Sequence, residues 1–347
     1  MAYSSIVKPS VYFNTKLYTG NGSTNAQTGV GFKPDFTWLK ARSYGDSHAL
    51  YDAVRGVTKR LQSEDTSAEA TIANSLTSFN SDGFTLGSDG QANSNNDTYA
   101  SWNWLANGAG SANTAGSINS TVSANTTSGF SIVKYTGNGS SGATVGHGLT
   151  TTAPKIVLIK TTSGADAWTM LNTNIDLNKY LSLNSNSAEI SDPMFNNTAP
   201  TTTVFTLDGD GQVNGNGVSL IAYCFSEVTG YSKFGSYKGN GANFDNAFVY
   251  TGFKPSLVII KKSNTTGNWV IEDNKRAGYN QANYHLYPNL TNAEGTNYYT
   301  DFLSNGFKIR DNPSDIGESG HTYIYMAFAE EPLVANSGSN GVPATAR

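Results

Sequence analysis

KLYTGNG, residues 16–22, is spelled again as VKYTGNG at 133–139 and, with one change, as GSYKGNG at 235–241. Behind each copy the same landmarks follow in the same order. The first set reads GFKPDFTWLK (31–40), KRLQSEDTSAE (59–69), DGFTLG (82–87) and YASWNW (99–104). The second reads APKIVLIK (153–160), KYLSLNSNSAE (179–189), TVFTLD (203–208) and LIAYCF (220–225). The third reads GFKPSLVIIK (252–261), YHLYPNLTNAE (284–294), NGFKIR (305–310) and YIYMAF (323–328). Ordered landmarks in triplicate mean one unit of about a hundred residues written three times, an ordinary domain size.

The unit reads as β structure. IVLIK and LVIIK are short apolar runs rich in β-branched residues, suited to buried strands, with FTWLK as their counterpart. In the last landmark one face carries Ala100, Trp102 and Trp104, then Ile221, Tyr223 and Phe225, then Ile324, Met326 and Phe328. The alternate face is also apolar or small, so this strand should be covered on both sides. Asp-Gly and Asn-Gly pairs punctuate the runs as turn formers. The glycines of the YTGNG copies read as positive-φ positions in tight reversals. The expected fold is all-β: three tandem antiparallel β-sandwich units, jelly-roll or concanavalin-like. One short helix is expected within DTSAEATIANSLTSF (65–79), where Thr66 and Glu69 resemble a capping box.

The expected boundaries are 1–106 for the first unit, 107–128 for a linker, 129–229 and 230–333 for the other units, and 334–347 for a tail. The linker assignment rests on the small polar composition of 107–129, which lacks apolar periodicity. EVTGYSKFG (227–235) is too short to let its neighbours tumble separately, so units two and three should form a rigid pair.

Composition narrows function. Charged residues are 14% of the 347 and net charge is −4, so no basic stripe awaits nucleic acid or an anionic membrane. No run approaches a membrane span, and MAYSSIVKPS lacks the regions of a signal peptide. The single cysteine, Cys224, excludes an internal disulfide and reads as a small buried apolar residue. The N-x-S/T triplets at Asn21, Asn119, Asn125 and Asn138 read as turn chemistry.

Catalytic and metal motifs are missing. His48, His147, His285 and His321 fall at unlike places in the repeats, outside metal-ligand spacings, and read as surface or turn residues. Glu272 and Asp273 would point to opposite faces of a strand, a poor acid–base pair. Asp208 and Asp210 in LDGDGQVNGNG (207–217) begin like a calcium loop, but no glutamate closes it. The expectation is no enzyme, no cofactor and no metal. Trp168 and Trp269 recur near the middle of units two and three and Trp38 lies nearby in unit one; the three are the candidate ligand-binding residues, offering flat apolar faces to sugar rings. Core packing is the better-supported reading of the three. Arg55 and Arg276 would serve polar contacts or salt bridges.

The run YFNTKLYTGNG (12–22), GFKPDFTWLKAR (31–42), DAVRGVTKRL (52–61), LTSFNSDGFTLG (76–87) and YASWNW (99–104) resembles a repeated domain of tailed-phage structural proteins, many of them marine and cyanobacterial, commonly described as tail-fibre-like. GFSIVKYTGNGSSGATVGHGL (129–149), APKIVLIK, IAYCFSEVTGYSKFGSYKGNG (221–241), FVYTGFKPSLVIIK (248–261) and YIYMAFAEEP (323–332) extend the likeness over nearly all of residues 12–332. The resemblance implies a virion protein made in a bacterial cytoplasm and exposed on a tail appendage or on the capsid. Its implied partners are other virion proteins and a host surface glycan, without nucleic acid or membrane insertion, in a homo-oligomer that would be a trimer if it follows the habit of fibres. A capsid decoration or head-fibre role is the alternative, and a polysaccharide-cleaving tailspike the third reading.

Overall fold

The computed structural model describes residues 4–335 and 342–343. In the first unit the strands are β1 (Phe13–Thr19), β2 (Asn25–Thr28), β3 (Phe36–Ala41), β4 (Ala49–Asp52), β5 (Lys59–Arg60), β6 (Ala70–Thr71), β7 (Leu76–Asn80), β8 (Gly83–Leu86) and β9 (Thr98–Trp104). The second holds β10 (Ser111–Asn113), β11 (Ser120–Asn125), β12 (Phe130–Thr136), β13 (Ala143–Gly146), β14 (Ile156–Thr161), β15 (Thr169–Asn172), β16 (Lys179–Ser182), β17 (Ile190–Ser191), β18 (Val204–Leu207) and β19 (Ser219–Phe225). The third holds β20 (Ser232–Lys238), β21 (Phe248–Tyr250), β22 (Phe253–Lys262), β23 (Trp269–Asp273), β24 (His285–Leu286), β25 (Thr300–Leu303), β26 (Gly306–Ile309) and β27 (Thr322–Pro332).

Each unit repeats one antiparallel plan. A large sheet has the order β1-β9-β3-β4, then β12-β19-β14-β15-β16, then β20-β27-β22-β23-β24. A small sheet lies against it: β2-β8-β7, β13-β18 and β21-β26-β25. The fold is all-β, as expected. The last landmark of each repeat is a central strand, covered on both faces: along β19, Leu220, Ala222 and Cys224 enter the core of the second unit, while Ile221, Tyr223 and Phe225 turn the other way. Cys224 is fully buried, in keeping with its sequence reading.

The units are not beads on a linker. The outward faces of all three large sheets meet in one apolar core that unites Phe13, Trp102 and Trp104 with Ile132, Tyr223 and Phe225 and with Phe234, Leu257 and Phe328. Each unit keeps a second core between its own two sheets. The three large sheets thus face a common axis in a pseudo-threefold arrangement. On that axis an apolar cavity of ≈ 20 Å³ remains, with Trp38, Trp104, Met170, Tyr223, Trp269 and Met326 among its walls. It has room for about one water and no polar lining to hold it.

Three expectations need correction. The stretch 107–128 is not a free linker, because β10 and β11 extend the second large sheet beyond β12. The first unit is as firmly held as the rigid pair, since all three share the axial core. No helix forms over 65–79; those residues run through β6 into β7. Most of the stretch 334–347, read as a tail, lies outside the described residues.

The YTGNG copies also differ from their reading as tight reversals. Each carries the chain from the large sheet across to the small one, β1 to β2, β12 to β13 and β20 to β21. Gly22, Gly139 and Gly241 do take φ of +65, +70 and +72°. The glycine before each is needed for space: a Cβ on Gly137 would sit 2.4 Å from the Gly215 carbonyl oxygen. A buried asparagine braces every copy. Asn93, Asn214 and Asn246 accept from the backbone N–H of Asn21, Asn138 and Asn240 at 2.9, 2.9 and 3.1 Å. The side chains of Asn21, Asn125 and Asn138 accept from N–H groups two residues on, so these triplets are indeed turn chemistry.

Candidate functional site

Trp38, Trp168 and Trp269 offer no face to solvent. They are 4%, 0% and 1% exposed in the axial core, which corrects their reading as ligand-binding residues. Two of them fasten neighbouring units. Trp168 donates its indole N–H to the Gln62 carbonyl at 2.8 Å, and Trp269 donates to the Ser182 carbonyl at 2.9 Å. Trp38 is not their counterpart. That place, directly before β4, belongs to His48, whose Nε2 lies 2.9 Å from the Tyr287 carbonyl oxygen. Trp38 donates to His48 Nδ1 at 2.8 Å, so Nε2 must carry the proton and donate to Tyr287.

Three lysines follow the same rule. Lys40, Lys160 and Lys261 close the central strands of their units and are 1% exposed or less. Each ammonium reaches a carbonyl of another unit: Thr291 at 3.3 Å, Thr66 at 3.0 Å and Asn186 at 3.4 Å. Burial brings all three down to about 8. The glutamates that end the Ser-Ala-Glu and Asn-Ala-Glu landmarks add backbone bonds across the same seams: Glu69 N–H to Thr162, Glu189 to Ser263 and Glu294 to Arg42, at 3.0, 2.8 and 3.0 Å.

Arg55 and Arg276 are buried in ion pairs with Asp52 and Asp273. Asp52 also accepts from the Tyr223 hydroxyl of the second unit at 2.7 Å, and Asp273 from the Trp102 indole of the first at 3.0 Å. The second unit lacks this motif: Asn172 ends β15 where Asp52 ends β4 and Asp273 ends β23, and the Asn172 amide nitrogen is unpartnered. Buried acids without their arginines would be costly, so acid and cation are absent there together.

The histidines were expected at the surface or in turns. His48, His147 and His285 are instead buried, at 0%, 0% and 2% exposure. The paired carboxylates make no acid–base site. Glu272 enters the core of the third unit and Asp273 the axial side; Asp210 caps a short helix (Gly211–Asn214) by accepting from the Gln212 N–H at 2.8 Å. Among the described residues no group of His, Cys, Asp and Glu gathers as a metal site.

Among the described residues the exposed large aromatic side chains lie on the third unit. Phe244, Phe248, Tyr250 and Tyr279 are its large exposed apolar side chains, at 48–77% exposure. Tyr250 lines a groove of ≈ 660 Å³ at the joint of units two and three, with Lys155, Lys233 and Glu227. No sequence motif marked this groove, because its walls come from loops of two units.

The sheets and the seams between them define an all-β protein built of three similar units. The chain belongs to the DUF7483 family, a domain of unknown function whose model matches residues 8–332. That match runs through all three units. No curated protein and no solved structure matches the chain.

Proposed function

We propose that this protein is a non-enzymatic structural component of a tailed-phage virion, a tail-fibre or adsorption-apparatus module that contacts host surface glycan. The observation that carries the reading is how the polar groups are used. His48, the three buried lysines and both acid–arginine pairs bind unit to unit, and no group of His, Cys, Asp and Glu gathers as a metal site among the described residues. The resemblance of the repeats to tail-fibre-like proteins supplies the setting. The exposed aromatic residues of the third unit supply a contact surface.

A capsid decoration role is the second reading. It is favoured by the pseudo-threefold body, since one copy brings three similar units to a threefold position on a shell. Labelled antibody on intact virions tests both: tail labelling supports the first reading, capsid labelling the second, and absence of the protein from purified particles rejects both.

A further inference from the structure

We infer that the groove between the second and third units is a binding site for an acidic oligosaccharide; this rests on the glycan-contact reading above and places it on named residues. The groove exists because the two joints differ. At the first joint the long connection lays β10 and β11 along β12. At the second, the chain turns at Gly230 and enters β20 directly, and β20 is the edge strand of its sheet beside the groove.

Its aromatic wall is not required by the fold. In register against the small sheet, Tyr250 pairs with Gly306 where Thr28 pairs with Gly83 and Gly146 with Val204. Two units therefore build the same strand end with a small residue. Tyr250 is 58% exposed. Its ring and hydroxyl come within 3.7–3.8 Å of the place a Cβ would take on Gly252, where φ is +81°. Gly252 answers to its positive φ, and the Tyr250 ring lies beside that turn largely exposed, the arrangement that receives the C–H face of a pyranose.

The charge of the walls selects the ligand. Glu227 is engaged: it accepts from the Phe234 N–H at 2.9 Å and lies 3.6 Å from Lys233. Lys155 is exposed and forms no ion pair among the described residues, although its backbone is held by bonds to Phe225 and Thr173. The groove therefore offers one free cation beside an aromatic platform, with the hydroxyls of Thr152 and Thr229 on its walls. That matches a sugar chain bearing a carboxylate; a nucleic-acid backbone would call for several cations.

The test is calorimetric titration of the full chain with a polyuronate hexasaccharide and with a neutral glucan hexasaccharide. The polyuronate should bind, more weakly as salt rises, and Tyr250→Ala and Lys155→Ala should each reduce affinity on the order of tenfold. Tyr279→Ala, an exposed aromatic outside the groove, should leave binding unchanged. All three side chains are exposed, and an unchanged melting temperature establishes that the variants fold. Equal binding of the neutral glucan overturns the acidic class, and polyuronate binding indifferent to Tyr250 and Lys155 overturns the site. Failure to bind either sugar by a protein that still adsorbs to susceptible cells overturns the groove alone. Loss of cell adsorption as well overturns the adsorption reading with it.

Discussion

His48 shows how one residue decides a seam. It stands where the other units place Trp168 and Trp269, and it bonds across to Tyr287 as they bond across to Gln62 and Ser182. Burial, with the Lys40 ammonium nearby, lowers it to about 3. Below about pH 6.5 the unfolded chain takes up a proton that the folded ring refuses. Its contribution is therefore complete above that pH and fades as pH falls toward 3. His48→Gln should narrow the loss of urea midpoint between pH 7.5 and 4.5 relative to the parent; a loss of equal size would refute the assignment. Some loss should remain, because burial also lowers His285, to about 4. Glu272 has the opposite sign. Burial raises it to about 7, so the folded state holds a proton that the unfolded chain releases above about pH 4.5. Stability is lost as pH rises through that window, and Glu272→Gln should unfold at higher urea than the parent at pH 8 but not at pH 4. The sequence displayed both residues without their environment. His48 differs chemically from the tryptophans it replaces, and only the alignment of β4 with β15 and β23 discloses that they share one place.

At the scale of elements, the strands were legible because their runs are short, apolar and β-branched, and because the doubly covered central strand carries apolar residues on both faces. The expected helix over 65–79 was not legible in the same way. Its capping-box residues have other partners: the Thr66 carbonyl accepts from Lys160 and from the Asp166 N–H, and the Glu69 N–H donates to Thr162. Tertiary hydrogen bonds to the second unit replace the helical ones. The glycine corner makes a prediction that separates space from flexibility. Gly137→Ala drives a methyl against the Gly215 carbonyl and should cost about 1–3 kcal/mol. Gly211→Ala, at the start of a short helix with nothing within 4 Å, should be neutral or stabilise by about 0.5–1 kcal/mol. Paired urea titrations compare them, and equal effects would contradict the close-approach account.

For the whole molecule, the shared axial core predicts cooperation among units. The full chain should unfold in a single calorimetric transition whose van't Hoff and calorimetric enthalpies agree. Three resolved transitions would mean that the seams are weaker than the cores within units. Residues 1–106 alone would expose Phe13, Phe36, Trp102 and Trp104 together, a patch that soluble monomers rarely carry. That fragment should aggregate or lack the dispersed amide spectrum of a folded domain, whereas independent units would each fold. Sequence by itself determined the triplication, the all-β class and the strands, because periodicity and turn chemistry are local and survive being copied. Tertiary structure alone decided that the three sheets close around one axis, that Trp168, Trp269 and His48 bind the seams, and that a groove opens at the second joint. Those outcomes depend on which faces meet across more than a hundred residues of chain, and a strand buried by a neighbouring unit carries the same apolar pattern as one buried by its own.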